Sequence, residues 1–490
     1  MKSSEPGVVA GIAPREIGDR LALGYLALVT ILGTITTILW NLERYDEFQT
    51  GWSWDLAYYN QWFWCLTHGL TEFTIRPIAS YATEGPSIWK MNYLAPVRFL
   101  IAPFYRLWPD PRCLLIIHDI VLWGTVPAAF TLAKSESKSN RVACATVLPT
   151  LFTPLFLPLV LNDFRELQMA LPFVLLAVDG VRGRAWGKAA WGILGMLACR
   201  QEFGLAVALL AFVPARESEP TAQTRRWMKR LAAIGLIWFF WVFFGVLKFT
   251  VGPSAPRLFM QEFAGVKAPL DQTLRTSLEF IGLGLGCWAI FALWAPRVAV
   301  LALPWVWSLA GGRWSLRYLS TEQWHHVRYC APYVAFGLAA GVIGWSRLFL
   351  ALDRIKIKRH RWGPAAAVYV LALVCNATAL GLMTTRLRAI PSPIENENPA
   401  VIRHWVAQVA PDDGVLTAYE VAAPLSSRRI VYGYRLEPNR PRGFPKLGPE
   451  FRWVFVRVQD FSPEVFTKQG FQLVHDGPFL RIFRREPPSI

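Results

Sequence analysis

The residues best suited to chemistry lie between Arg44 and Tyr93, a stretch opening RYDEFQTGWSWDLAYYNQWFWCLTHGL. It gathers Asp46, Glu47, Asp55, Gln61, His68, Glu72, Arg76 and Glu84 among aromatic side chains. Carboxylates at that density can take a proton from a hydroxyl or ligate a divalent ion. Asp46 and Asp55 also suit a blander role as solvated loop acids or helix caps, because WSWDLAYYNQ reads as a Ser/Asp-capped helix start. Two shorter polar knots follow, Asn162-Asp163-Phe164-Arg165-Glu166 and Arg200-Gln201-Glu202, each set between apolar runs. Ionisable groups at such positions pair with one another or line a functional cavity. Arg313, Arg317 and Arg328, in GGRWSLRYLSTEQWHHVRY, have the geometry to hold phosphate, with interface snorkelling as the competing account. The neighbouring His325 and His326 point apart on any regular backbone, and no HExxH pattern exists. Trp52, Trp54, Tyr58, Tyr59, Trp62 and Trp64 suit stacking on a sugar or lipid, or an interfacial aromatic belt.

The elements that position these groups are membrane helices. Of 490 residues, 53% are hydrophobic and only 17% charged, and the mean hydropathy of +0.30 lies outside the usual range for a soluble chain of this size. The aromatic load of 23 Trp and 31 Phe fits a polytopic protein with rings at both interfaces. The net charge of +17 raises nucleic acid as a partner, but the basic residues sit in short clusters between apolar runs rather than along one helix face. They read as topology signals and nucleic acid is excluded. Cys65, Cys113, Cys144, Cys199, Cys287, Cys330 and Cys375 lie mostly in or beside apolar runs without ligand spacing, and read as small buried side chains. The polar N-terminus leads into Leu21–Trp40 without a small-residue cleavage site, so that run reads as a retained anchor.

Lys2, Arg15 and Arg20 place residues 1–20 in the cytoplasm, Leu21–Trp40 running outward and the loop 41–93 outside. Leu94–Trp108, interrupted by Pro96, Arg98, Pro103 and Arg106, reads as an interfacial helix. Cys113–Ala133, Val142–Leu161 and Leu167–Gly180 alternate across the bilayer. Ala189–Pro214 is flanked on both sides by basic clusters that favour the cytoplasm. It therefore reads as two short helices with the Arg200–Glu202 tip outside. Leu231–Thr250, Leu278–Pro296, Val298–Ala310, Ala331–Leu352 and Pro364–Thr385 complete about eleven spans, giving an α-helical transmembrane domain over 21–385. Residues 386–490 change to soluble composition, with an amphipathic helix in RHWVAQVAP and strands in GVLTAYE, RRIVYGY, RWVFVRV, GFQLVHD and FLRIFRR. This is a small α/β domain, expected outside the membrane.

WDLAYYNQWFWCLTHG resembles the FDLGxYDQxxWxxxHG opening of the bacterial polytopic family known as domain of unknown function 2079. Similar segments follow in the same order: LAPVRFLIAPFYRLWPDPRCLLIIHDIVL, NDFRE, CRQEFG, HHVRYCAPYVAFGL and TAYEVAAPLSSRRIVYGY, so that the likeness runs from about Gly51 to Val456. The chain departs from the family pattern at Asn92 and Arg165, where relatives carry His, and at Phe203, where they carry Asp. The family in turn looks like the C-type (GT-C) glycosyltransferase superfamily. That resemblance implies about a dozen helices, an acidic first outer loop, a soluble outer domain and transfer of a sugar from a polyprenyl-phosphate donor at the outer face of a bacterial inner membrane.

On that resemblance Asp55 is the first candidate for general base and Asp46 the second, with Glu166 and Glu202 completing an acidic wall. Arg200 and one of Arg313, Arg317 or Arg328 would hold the donor phosphate, and Gln61, Asn92, Asp163 and Arg165 are further substrate-binding candidates. A divalent ion, Mg or Mn, would sit at Asp55 and Glu202. The competing reading is a transporter or a lipid- or glycan-binding scaffold; no internal repeat favours it. The expected partners are the bilayer and the lipid-linked donor, with the N-terminus inside and the C-terminus outside.

Overall fold

The computed structural model describes residues 14–52, 54–75, 87–89, 93–151, 153, 156–213, 216, 221–250, 271, 274, 292, 294–302, 305, 328–354, 363–390, 392–394, 396–434 and 446–486. The charge-free run Leu21–Trp40 forms the middle of helix α1 (Pro14–Asp46). Leu21, Leu28, Ile31, Leu32 and Leu39 stand exposed on it, as lipid-facing side chains do. Thr30 and Thr34 turn their hydroxyls back to the carbonyls of Leu26 and Thr30, each at 2.7 Å, so neither polar group meets the apolar surroundings unsatisfied.

Among the described residues four helices are long and apolar enough to cross a bilayer: Asp19–Asp46, Pro111–Ser137, Ala222–Thr250 and Arg328–Ala351. The second joins α4 (Pro111–Trp123) to α5 (Thr125–Ser137) through Gly124, whose N–H donates to the Ile120 carbonyl at 3.2 Å. Asp110 starts it by accepting the Arg112 N–H at 2.9 Å, with Pro111 in the first turn. Other apolar runs fold as shorter pieces. Val142–Leu161 becomes α6 (Asn140–Leu151), which holds Pro149, and α7 (Phe156–Val160). Leu167–Gly180 becomes α8 (Glu166–Met169) and α9 (Leu171–Arg182). Most of 278–310 lies outside the described residues.

Ala189–Pro214 folds as α10 (Trp186–Cys199) and α11 (Phe203–Leu210), broken at Arg200–Glu202. The Arg216 N–H donates to the Arg182 carbonyl at 2.8 Å, so the chain returns to the end it left and the polar tip lies at the other end. Small residues allow the close approach: Gly180 and Gly192 lie directly against the backbone of Ala189 and Ala177, where any Cβ would collide. Helix α12 (Ala222–Thr250) begins at Thr221, which accepts the Thr224 N–H at 3.1 Å, and contains a π-helical segment over Trp241–Val246. Helix α13 (Ala331–Arg354) is the centre of the bundle, with Val334, Phe336, Val342 and Ile343 fully buried and α5, α6 and α9 packed around it. Helix α14 (Gly363–Arg388) exposes Val370, Leu371, Val374 and Leu382.

The α/β expectation for the C-terminal part holds. Helix α15 (Pro399–Ala407), capped by Asn398, leads to β1 (Gly414–Ala418), β2 (Val431–Tyr434), β3 (Phe451–Arg457), the one-turn α16 (Glu464–Thr467), β4 (Gln472–Asp476) and β5 (Leu480–Arg484). Sheet order is β2-β1-β3-β5-β4, with β1 parallel to β2 and β3, and β5 antiparallel to β3 and β4. Val415, Val454, Phe455 and Ile482 fill its buried faces.

Candidate active site

The acid-rich stretch folds around helix α2 (Asp55–Thr67). Asp55 does not cap it: the cap position is Trp54, with no side-chain hydrogen bond, and Asp55 lies in the first turn near the positive helix end. One oxygen of its carboxylate, Oδ2, takes two guanidiniums. Arg328 Nη1 lies at 2.7 Å, and Arg165 Nη2 pairs with the same oxygen. Arg165 reaches Asp55 from the loop before α8, and Arg328 from the start of the α13 segment. Arg165 Nη1 also donates to the Tyr59 hydroxyl at 3.0 Å, with its guanidinium 5.1 Å from the Tyr59 ring centre. Burial, and then the charge of Arg328, hold the Arg165 guanidinium well below its ordinary pKa.

A second ion pair also lies against Tyr59. Arg98, on helix α3 (Val97–Leu107), donates from Nε to Glu166 Oε1 at 2.6 Å, and its guanidinium carbon is 4.9 Å from the Tyr59 ring centre and 5.3 Å from that of Trp62. Although burial resists its charge, Arg98 and Arg200 hold the Glu166 carboxyl below the usual carboxylate range. The Arg200–Glu202 tip forms a bidentate pair at 3.1 and 2.8 Å, with Arg200 3.6 Å from the centre of the Tyr93 ring. Gln201 fixes the tip by accepting the Leu94 N–H at 3.0 Å. Beside Arg98 and Tyr93, Trp62, Trp89, Phe99 and Leu247 line a groove of about 260 Å³.

The structure thus brings together Asp55, Arg165 and Arg328, and near them Glu166, Arg200 and Glu202. Other candidates are placed elsewhere. Gln61 is spent on architecture: its Nε2 donates to Thr74 Oγ1 at 2.9 Å and to the Arg428 and Arg429 carbonyls at 3.1 and 3.2 Å. Its Oε1 accepts from the N–H groups of Thr74 and Ile75 at 3.0 and 2.6 Å. Asp46 ends α1, where its carbonyl accepts from Arg403 and its charge is felt at Tyr45 and Arg112. Asp163 acts on Arg44. Asn92 and Arg313, with Arg317, His325 and His326, lie outside the described residues.

Two features carried no signal of a site in the sequence. Arg98 looked like an interruption of an apolar helix. The turn Ser426–Arg429 of the C-terminal domain docks on α2: Asn60 Nδ2 donates to Ser426 Oγ at 2.8 Å and Ser427 Oγ at 2.9 Å, and Tyr419 packs 3.8 Å from Trp54, next to Asp55. The serines and arginines of PLSSRR gave a hint only through the family likeness.

A family profile described as predicted membrane protein (DUF2079) matches residues 44–476. Among solved structures, the chain is similar to that described as ArnT from Cupriavidus metallidurans bound to undecaprenyl phosphate. The TM-score is 0.57 at 12% identity, covering 93% of this chain and 97% of that one. No curated protein matches. The likeness shows that the two chains share a fold.

Proposed function

The chain belongs to the DUF2079 family of predicted membrane proteins, and from its fold and site we propose that it is a glycosyltransferase. It takes a sugar from a polyprenyl-phosphate donor at the outer face of a bacterial plasma membrane. The observation that carries this reading is the Asp55 carboxylate held between the guanidiniums of Arg165 and Arg328 at the start of α2. Asp55 takes the proton of the acceptor hydroxyl as its oxygen bonds to the anomeric carbon. The bond from that carbon to the phosphate oxygen breaks, and the electron pair leaves on the phosphate. Attack from the face opposite the leaving group inverts the anomeric centre. Arg165 and Arg328 meet the charge that develops on the phosphate. The undecaprenyl phosphate bound by the similar structure supports the lipid class, and the groove of about 260 Å³ beside Arg98 and Tyr93 has the apolar lining a prenyl chain requires.

A Mg or Mn ion at Asp55 and Glu202 does not fit this donor set. Guanidiniums engage both carboxylates, and the described residues contain no group of three or more His, Cys, Asp or Glu able to hold a metal.

The test is transfer in reconstituted vesicles from a set of labelled polyprenyl-phosphate sugars. Asp55→Asn is expected to abolish transfer while expression and folding persist, and full activity in that variant overturns the base assignment. Wild-type protein that binds the lipid yet transfers no sugar would favour the scaffold reading.

A further inference from the structure

We infer that Asp55 occupies the donor phosphate's place in the ligand-free protein, so that the lipid phosphate must displace the carboxylate and thereby frees it as the base. The inference rests on the function proposed above and adds a built-in gate to it. Arg165 and Arg328 converge on one oxygen, Oδ2, as two donors converge on a phosphate oxygen. The cations are the fixed partners. Their side chains are only 10% and 8% exposed, Arg165 is tied to the Tyr59 hydroxyl, and the Arg328 guanidinium lies 5.1 Å from the centre of the Tyr329 ring. Asp55 is the movable one: its side chain is 24% exposed, and it sits in the first turn of α2 where the cap residue Trp54 supplies no side-chain acceptor. A rotamer change can carry the carboxylate toward water and the positive end of the helix while both arginines stay in place.

Charge favours the exchange. Two guanidiniums and one carboxylate leave this triad one positive charge in excess, which a phosphodiester donor neutralises. During transfer the proton passes to Asp55 as the phosphate gains its second negative charge, so the sum over the four groups stays at zero throughout. The carboxylate therefore competes with the anion in the ground state and is freed by the ligand whose acceptor it must deprotonate. The carboxylate is released from both guanidiniums only when the donor is seated.

The experiment is binding of undecaprenyl phosphate, without any sugar, to the full chain in lipid nanodiscs. If Asp55 competes with the phosphate, Asp55→Asn binds about tenfold more tightly than wild type, the scale of one removed charge-assisted contact. Arg328→Ala and Arg165→Ala bind more weakly. Equal or weaker binding by Asp55→Asn overturns the inference. Because that variant leaves two buried arginines without their carboxylate, its melting temperature is measured with and without undecaprenyl phosphate. A larger rise than in wild type supports displacement, and a smaller one overturns it. The readout involves no turnover, so a protein that transfers no sugar can still pass or fail it.

Discussion

Arg98 and Glu166, 68 residues apart in the chain, meet through an Nε to Oε1 contact of 2.6 Å with both side chains almost wholly withdrawn from solvent. A buried pair of this kind adds little over a well-packed apolar substitute, but losing one member strands the other charge at a cost of about 3–5 kcal/mol. Glu166→Gln and Arg98→Leu are each expected to lower the unfolding midpoint in detergent sharply. The double variant Arg98→Leu with Glu166→Gln should lose less than the two singles combined. Additive losses would show that the pair is not coupled.

The same pair predicts a pH dependence. Arg98 and Arg200 depress the Glu166 carboxyl against the opposing effect of burial. A depressed carboxyl stabilises the fold above its unfolded pKa, and that contribution is lost as pH falls through the lower folded value. Thermal stability from this group should be flat between pH 6 and 8 and fall only in acid, on the order of pH 4 and below. Glu166→Gln should have a shallower acid limb than wild type; identical limbs would assign the acid loss to other groups.

Much of the fold is legible in the residues, and the reasons for the exceptions are physical. The alternation in RWVFVRV and FLRIFRR announces β3 and β5, and the basic clusters on both sides of Ala189–Pro214 announce the hairpin whose ends meet through Arg216 and Arg182. Arg98 is not legible as a site residue because a lone cation in a short apolar run reads as the mark of an interfacial helix until its partner, distant in sequence, is known. Gln61 failed the other way: a polar group in an acidic loop looks like a substrate contact, and only the fold shows its amide consumed by Thr74, Ile75, Arg428 and Arg429.

That use of Gln61, with Asn60, makes α2 the seat of the C-terminal domain. Each lost amide leaves buried acceptors or donors behind, at about 1–3 kcal/mol per unsatisfied group. Asn60→Ala with Gln61→Ala is expected to loosen the turn Ser426–Arg429 and raise protease cleavage within 423–431 severalfold. An unchanged digestion pattern would mean that other contacts suffice to hold the domain.

Arg200 takes both oxygens of Glu202, and Arg165 and Arg328 share Oδ2 of Asp55, so guanidiniums engage the two carboxylates expected to hold a divalent ion. If the protein is the transferase proposed here, EDTA should leave initial rates within about twofold of the untreated enzyme, because guanidiniums carry the phosphate charge. Loss of transfer in EDTA with recovery on adding Mg or Mn would refute this.

The orientation across the membrane rests on the Lys/Arg bias and can be tested with single cysteines. Cys375 is the exposed thiol among the described cysteines, so a Cys375→Ser background removes the main competing target. Asp412 and Arg226 are both exposed, the first between α15 and β1 and the second near the start of α12, beside the basic cluster expected in the cytoplasm. Asp412→Cys should react with a membrane-impermeant maleimide on intact spheroplasts, whereas Arg226→Cys should react only after the membrane is opened. The reverse pattern would turn the protein over, placing Asp55 and its arginines at the cytoplasmic face, where the donor lipid would have to be drawn from the inner leaflet.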